Sequence, residues 1–178
     1  IFEDNENRIW VATNDGLNLF RPESNSFVRY NSLNSGLPED VVISIYQTRE
    51  GKYWIGTLLG LASGMKTDFQ TFDRSQGNLS NDSVNAFAES ADGSLWVGTD
   101  DGLNILRAGS AKFDWINEST SPAISDPRVM SLYHDNDIMW VGTYEEGLNR
   151  IDLITNKTTT YKHNTLREFS VGANGITS

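Results

Sequence analysis

The chain has no cysteine among its 178 residues. That excludes disulfides, thiol nucleophiles and zinc–thiolate centres. Basic residues are few: 14 Lys and Arg stand against 24 Asp and Glu, for a net charge of −10. A general nucleic-acid or anionic-membrane partner needs a basic footprint, so neither is expected. No run of 18 apolar residues occurs, so no membrane-spanning helix lies within this stretch. Only two histidines are present, His134 and His163, and no Gly-x-Ser-x-Gly accompanies them. There is also no initiator Met and no signal-peptide pattern. The chain reads as an excised part of something longer, with its localisation signals elsewhere. The four Pro and fifteen Gly suit short turns, and 38% hydrophobic content is enough for a core.

What is present is one phrase written four times. Ile9-Trp10-Val11-Ala12-Thr13-Asn14-Asp15-Gly16-Leu17-Asn18 returns around Trp54, Trp96 and Trp140, at intervals of 44, 42 and 44 residues. A period in the forties with strand-like content is the mark of propeller blades. The fold class is therefore all-β: residues 1–178 form a β-propeller fragment of four-stranded antiparallel blades, in four repeats of 42–44 residues. In the third repeat the strands read as Ser83–Ser90, Ser94–Thr99, Leu103–Arg107 and Phe113–Asn117. The second parses as Val42–Thr48, Lys52–Thr57, Leu61–Lys66 and Phe69–Asp73, the fourth as Val129–Tyr133, Ile138–Thr143, Leu148–Leu153 and Thr158–Lys162. The end segments Asn174–Ser178 and Ile1-Phe2 align with successive parts of one inner strand, so both ends cut a strand in the middle.

The recurrent residues have packing roles. Trp10, Trp54, Trp96 and Trp140 are expected to wedge between blades. Gly56, Gly98 and Gly142 follow two residues later on the same strand face and mark a close approach. Gly16, Gly60, Gly102 and Gly147 end the second hairpin turn, where positive φ is useful. Departures from the pattern are the places to look for individual function. The second repeat has Leu58-Leu59-Gly60-Leu61-Ala62 in place of the polar turn and Leu-Asn. The fourth inserts one residue, giving Tyr144-Glu145-Glu146.

The core Ile/Leu-Trp-Val-Gly-Thr-x-x-Gly-Leu-Asn, with Leu37-Pro38-Glu39-Asp40-Val41 and Leu79-Ser80-Asn81-Asp82-Ser83-Val84 upstream, resembles the two-component regulator propeller repeat. The resemblance covers essentially the whole chain. It implies a periplasmic sensor region of an inner-membrane hybrid histidine kinase, responsive to oligosaccharide and followed by further domains. The fragment itself would be non-catalytic, with no cofactor, and the full-length parent a histidine kinase. Two alternatives remain: a protein-interaction scaffold without a small ligand, and a catalytic propeller such as a glycosidase.

Site chemistry is sparse. Asp135-Asn136-Asp137 and Glu3-Asp4-Asn5-Glu6 lack the Gly and distal Glu of a calcium loop, and read as polar turns; no metal site is expected. Ser90-Ala91-Asp92-Gly93-Ser94-Leu95-Trp96 is like a sialidase turn but one residue short between Asp and Gly, and no catalytic carboxylate pair is identified. A ligand would sit on the face carrying the second-to-third-strand turns and the loops Asn31–Asp40, Arg74–Asp82, Glu118–Asp126 and His163–Asn174. Candidate ligand-binding residues there are Tyr144, His163 and Arg167. Four blades are fewer than most closed rings use, and uncovered blade faces are apolar. Self-association of the fragment is therefore expected, besides contact with the remainder of the sensor chain.

Overall fold

The structure is a computed structural model that describes residues 1–65, 69–167 and 170–177. Lys66, which the sequence places at the end of a strand, and Ser178 lie outside the described residues. Among the described residues there is no helix. The chain forms four antiparallel sheets of four strands, each a propeller blade. Blade 1 is β1 (Phe2–Glu3), β2 (Ile9–Thr13), β3 (Gly16–Arg21) and β4 (Ser26–Tyr30). Blade 2 is β5 (Val42–Gln47), β6 (Tyr53–Thr57), β7 (Leu61–Gly64) and β8 (Gln70–Phe72). Blade 3 is β9 (Val84–Glu89), β10 (Leu95–Thr99), β11 (Gly102–Leu106) and β12 (Phe113–Ile116). Blade 4 is β13 (Val129–Asp135), β14 (Ile138–Thr143), β15 (Leu148–Asp152) and β16 (Lys157–Tyr161). The fold is that of a β-propeller, as the period predicts.

Two compact units divide the chain. One comprises residues 1–77 with 82–84, the other residues 78–81 with 85–178. Each has its own core. The first packs Trp10, Leu17, Leu19 and Leu37 with Val42, Tyr53 and Ile55. The second packs Trp96, Leu103, Ile105 and Ile116 with Val129, Met139, Val141 and Ile151.

The repeated phrase is a set of joints. In each blade the Thr of the phrase (Thr13, Thr57, Thr99, Thr143) donates its hydroxyl to the carbonyl of the turn glycine at 2.8–2.9 Å. The peptide N–H of that glycine in turn donates to the connector that leads to the following strand: Gly16 to Asp40 O, Gly60 to Asp82 O, Gly102 to Pro127 O and Gly147 to Asn174 O. Gly102 has φ of 101° and Gly147 of 92°. A Cβ there would strike the carbonyl oxygen of Ile116 or Tyr161, so conformation and space both demand glycine. The second glycine of the phrase answers a different contact. A Cβ on Gly56, Gly98 or Gly142 would meet Val84, Val129 or Ile176, the residue that opens the following inner strand. Ile176 also donates its N–H to Thr143 O at 2.9 Å.

The tryptophans divide. Trp10, Trp54 and Trp96 are buried, and Trp140 is partly buried. Its ring has Tyr161 on one side at 6.0 Å, but beside it lies a cavity of about 590 Å³ lined by Ala86, Met130, Leu132, Tyr133, Leu148 and Ile176.

Candidate functional site

On the face predicted to bind ligand, the inserted turn of blade 4 holds Tyr144 about half exposed. The Arg128 guanidinium lies over its ring at 4.2 Å and pairs with Glu145 at 2.9 Å. The hydrogen bond that Arg128 donates to Glu145 raises its pKa above the ordinary value. The turn is tied down by Tyr144 N–H to Arg128 O (3.0 Å) and Glu145 N–H to Asp126 Oδ2 (2.8 Å). One face of Tyr144 is thus occupied by a cation from its own unit.

His163 and Arg167 come together in a separate cavity of about 470 Å³, lined also by Tyr161, Lys162, Asn164 and Val171. His163 donates its peptide N–H to Asn174 Oδ1 at 2.6 Å, and its Nδ1 lies 2.8 Å from Val171 O. Tyr144 does not line this cavity. Sequence reasoning thus grouped three residues of which the structure unites two. In the second-to-third-strand turns of blades 1 and 4, Asp15 pairs with Arg29 and Glu146 with Lys162.

The opposite face, with the first-to-second-strand turns, holds two cavities that the sequence reading missed. They occupy one position of the repeat. Trp10 is paired across the ladder with Leu19, as Trp96 is with Ile105, and Leu17 with Tyr30, as Leu103 is with Ile116. Each cavity is about 440 Å³.

In the first unit the cavity is built around a polar clamp. The Asp4 side chain is fully buried. Its Oδ1 accepts the N–H groups of Glu6 and Arg8, and its Oδ2 accepts Arg8 Nε (2.8 Å), Trp10 Nε1 (2.6 Å) and Tyr53 Oη–H (2.7 Å). Arg8 also donates to Tyr53 Oη at 2.6 Å and pairs with Glu6 at 3.0 Å. Burial alone would raise the Asp4 carboxyl, but the hydrogen bonds from Trp10, Tyr53 and Arg8 outweigh it and hold the group far below the ordinary carboxylate range. Burial first, then the bond to Asp4, push the Tyr53 hydroxyl up to about 12. Asp4, which reads as a polar turn residue, is an ionised, saturated core acceptor joining blades 1 and 2.

In the second unit Ser90 stands where Asp4 does, Ser94 where Arg8 does, and Met139 where Tyr53 does. Trp96 Nε1 donates to Ser90 Oγ at 3.1 Å, and Ser90 and Ser94 hydroxyls donate to Asp92 at 2.6 and 2.9 Å. The Ser90 bond, more than the Ser94 bonds, lowers the Asp92 pKa against its modest burial. Trp115 lines this cavity with about half of its surface exposed, beside the exposed Ile154. Arg107 at the rim pairs with Asp114 at 2.7 Å. One sequence signal could have found the site: the chain has five tryptophans, and Trp115 is the one outside the repeated phrase.

Among the described residues no cluster of three or more His, Cys, Asp or Glu side chains could hold a metal ion. Nor is any helix there long and apolar enough to cross a membrane.

Residues 36–58 and 78–101 match the model of the two component regulator propeller. These two segments carry the two component regulator propeller repeat. None of the curated proteins matches it by sequence. Among solved structures it is similar to the extracellular domain of the hybrid two component system BT3049 from B. thetaiotaomicron, with TM-score 0.79 and 22% identity over 92% of this chain and 24% of that one. It is likewise similar to the extracellular domain of the hybrid system BT4673 of the same organism, with TM-score 0.80 and 20% identity over 95% and 23%. A virginiamycin B lyase from Staphylococcus aureus shares the fold at TM-score 0.69 and 12% identity, over 93% and 55%. The chain thus spans about a quarter of the two sensor domains.

Proposed function

We propose that this chain is part of an extracytoplasmic sensor propeller of a hybrid two-component signalling protein, that it binds oligosaccharide without chemical change, and that the bound state is relayed to a histidine kinase in the periplasmic inner-membrane parent. The observation that carries the reading is the repeat itself: the regulator-propeller phrase recurs in all four blades, on a fold shared with extracellular domains of hybrid two component systems. The fold alone does not decide against catalysis, since a lyase shares it. What supports a non-catalytic fragment is the state of two buried carboxylates: Asp4 accepts five hydrogen bonds, and Asp126 accepts the N–H groups of Arg128 and Glu145. Kinase autophosphorylation in the complete parent protein, measured across a glycan panel, tests the proposal. A glycan that changes the phosphorylation rate supports it; turnover of the glycan by the purified protein overturns the non-catalytic part.

A second reading, an interaction scaffold, is favoured by one observation. The Trp140 face of blade 4 is apolar and partly open, with Tyr133 exposed beside it. Self-association through this face predicts a particle larger than 19.9 kDa in light scattering at micromolar concentration. A clean monomer would speak against it.

A further inference from the structure

We propose that the cleft between blades 3 and 4 is a glycan subsite with Trp115 as its stacking platform, and that it selects neutral over anionic sugars. The inference rests on the oligosaccharide reading above. It moves the site to the first-to-second-strand turns of blades 3 and 4, with Thr120, Ser121 and Pro122 of one long loop in its wall, and to a tryptophan outside the repeated phrase.

Three observations converge. First, Trp115 presents an indole that is about half exposed, although it lines a concave site. A tryptophan that served the core would be covered, as Trp10 and Trp96 are. The C–H face of a pyranose is apolar and flat enough to cover such a ring, while its hydroxyl edge needs polar partners. Second, those partners are present and unspent. The side chains of Asp137 and Asn156 line the cleft, and neither makes a hydrogen bond among the described residues. The wall mixes an aromatic and aliphatic floor with polar and charged side chains, as a ligand with an apolar face and a hydroxyl edge requires, and about 440 Å³ lies in the usual size range of a small-ligand site. Third, the same repeat position in the first unit is lined differently. There Asp4, Arg8 and Tyr53 satisfy one another, Trp10 and Tyr53 are buried, and Tyr30 is only partly exposed, so no aromatic is as open as Trp115. The repeat therefore does not require an open tryptophan here.

Charge sets the selectivity. Asp92, Asp114 and Asp137 line the cleft against one arginine, Arg107, which is already paired with Asp114. With a net charge of −10 behind it, the cleft repels sulfated or carboxylated sugars.

The test uses the whole chain and the probes themselves: hexasaccharides of glucose, xylose, mannose and N-acetylglucosamine, with a heparin hexasaccharide as the anionic control. Binding is followed by calorimetry and by tryptophan emission. At least one neutral hexasaccharide is expected to bind and shift the emission. Trp115→Ala is expected to weaken that binding at least about tenfold, Asp137→Ala and Asn156→Ala less, and Tyr144→Ala not at all. The heparin probe is expected to remain unbound. Because Trp115, Asp137 and Asn156 are at the surface, each variant is checked for an unchanged melting curve. Binding that survives Trp115→Ala within twofold overturns the subsite and leaves the oligosaccharide reading standing. Heparin binding stronger than neutral binding overturns the selectivity. Failure of every probe to bind the folded chain overturns both the subsite and the oligosaccharide reading for this chain.

Discussion

The clamp between blades 1 and 2 and the cleft between blades 3 and 4 are the same place in the repeat, built for different ends. Both start from a tryptophan whose indole N–H must be satisfied on burial. In the clamp the acceptor is a buried carboxylate, which then needs Arg8 and Tyr53 to be tolerable at all. In the cleft the acceptor is the Ser90 hydroxyl, which is neutral and needs no counter-charge. The lesson is that a buried charged acceptor draws a cation and a hydroxyl from two blades into one network, whereas the neutral one is satisfied within its own turn by Asp92 and Ser94 and leaves Asp137 and Asn156 of the next blade uncommitted. Stability is concentrated in the first arrangement and binding capacity in the second.

The largest expected effect comes from breaking the clamp. Asp4→Ala leaves the buried Trp10 N–H and Tyr53 hydroxyl without their acceptor and Arg8 with only the exposed Glu6, and is expected to cost roughly 3–5 kcal/mol in urea unfolding. Ser90→Ala removes the acceptor of the Trp96 N–H and a donor to the Asp92 carboxylate but strands no charge in the core, and is expected to cost less, about 1–3 kcal/mol. Acid sharpens the same contrast. Asp4 has a depressed folded pKa, so its contribution is fully present above the unfolded value of about 3.9 and is lost as pH falls below it. Thermal melts of the wild type should therefore drop steeply below about pH 4, and Asp4→Asn should flatten that drop.

Next come the tryptophans themselves. Trp54→Ala and Trp96→Ala empty buried volumes, and each is expected to cost roughly 3–5 kcal/mol. Trp140 belongs to the same phrase but is half-buried, so Trp140→Ala is expected to cost less, about 1–2 kcal/mol. Equal losses at Trp96 and Trp140 would mean that the Trp140 face is covered in solution.

These differences explain what the sequence could reveal. The blades were legible because their joints recur: Thr99 with Gly102, or Gly98 against Val129, repeats wherever the phrase does. The clamp was not, because Asp4, Arg8 and Tyr53 come from two repeats and have no counterparts in the others. Trp115 went unnoticed among outer-strand aromatics, which vary from blade to blade. A smaller regularity was readable in principle. Asn104 and Asn149 each accept the N–H, and donate to the hydroxyl, of a serine 24 residues earlier, Ser80 or Ser125. In blade 2 the corresponding positions are Ala62 and Pro38, so a polar pair has been exchanged for an apolar one. Asn104→Ala alone leaves Ser80 unpartnered on that side and is expected to cost about 1–3 kcal/mol. Adding Ser80→Pro, as blade 2 has it, should recover part of the loss; no recovery would show that the two positions are not coupled.

The smallest expected effect on stability is at the cleft, and its smallness carries the comparison. Trp115 is half exposed, on the outer strand, with no hydrogen bond from its indole among the described residues. Its removal empties no enclosed volume, so Trp115→Ala should change the unfolding free energy by no more than about 0.5 kcal/mol. A large aromatic that contributes so little to the fold stands apart from the four phrase tryptophans, whose rings are at least half-buried. If chemical denaturation instead shows a loss comparable to Trp140→Ala, Trp115 is a packing residue of blade 3. The cleft would then be a by-product of how the two blades meet, and the division of labour between clamp and cleft would fall with it.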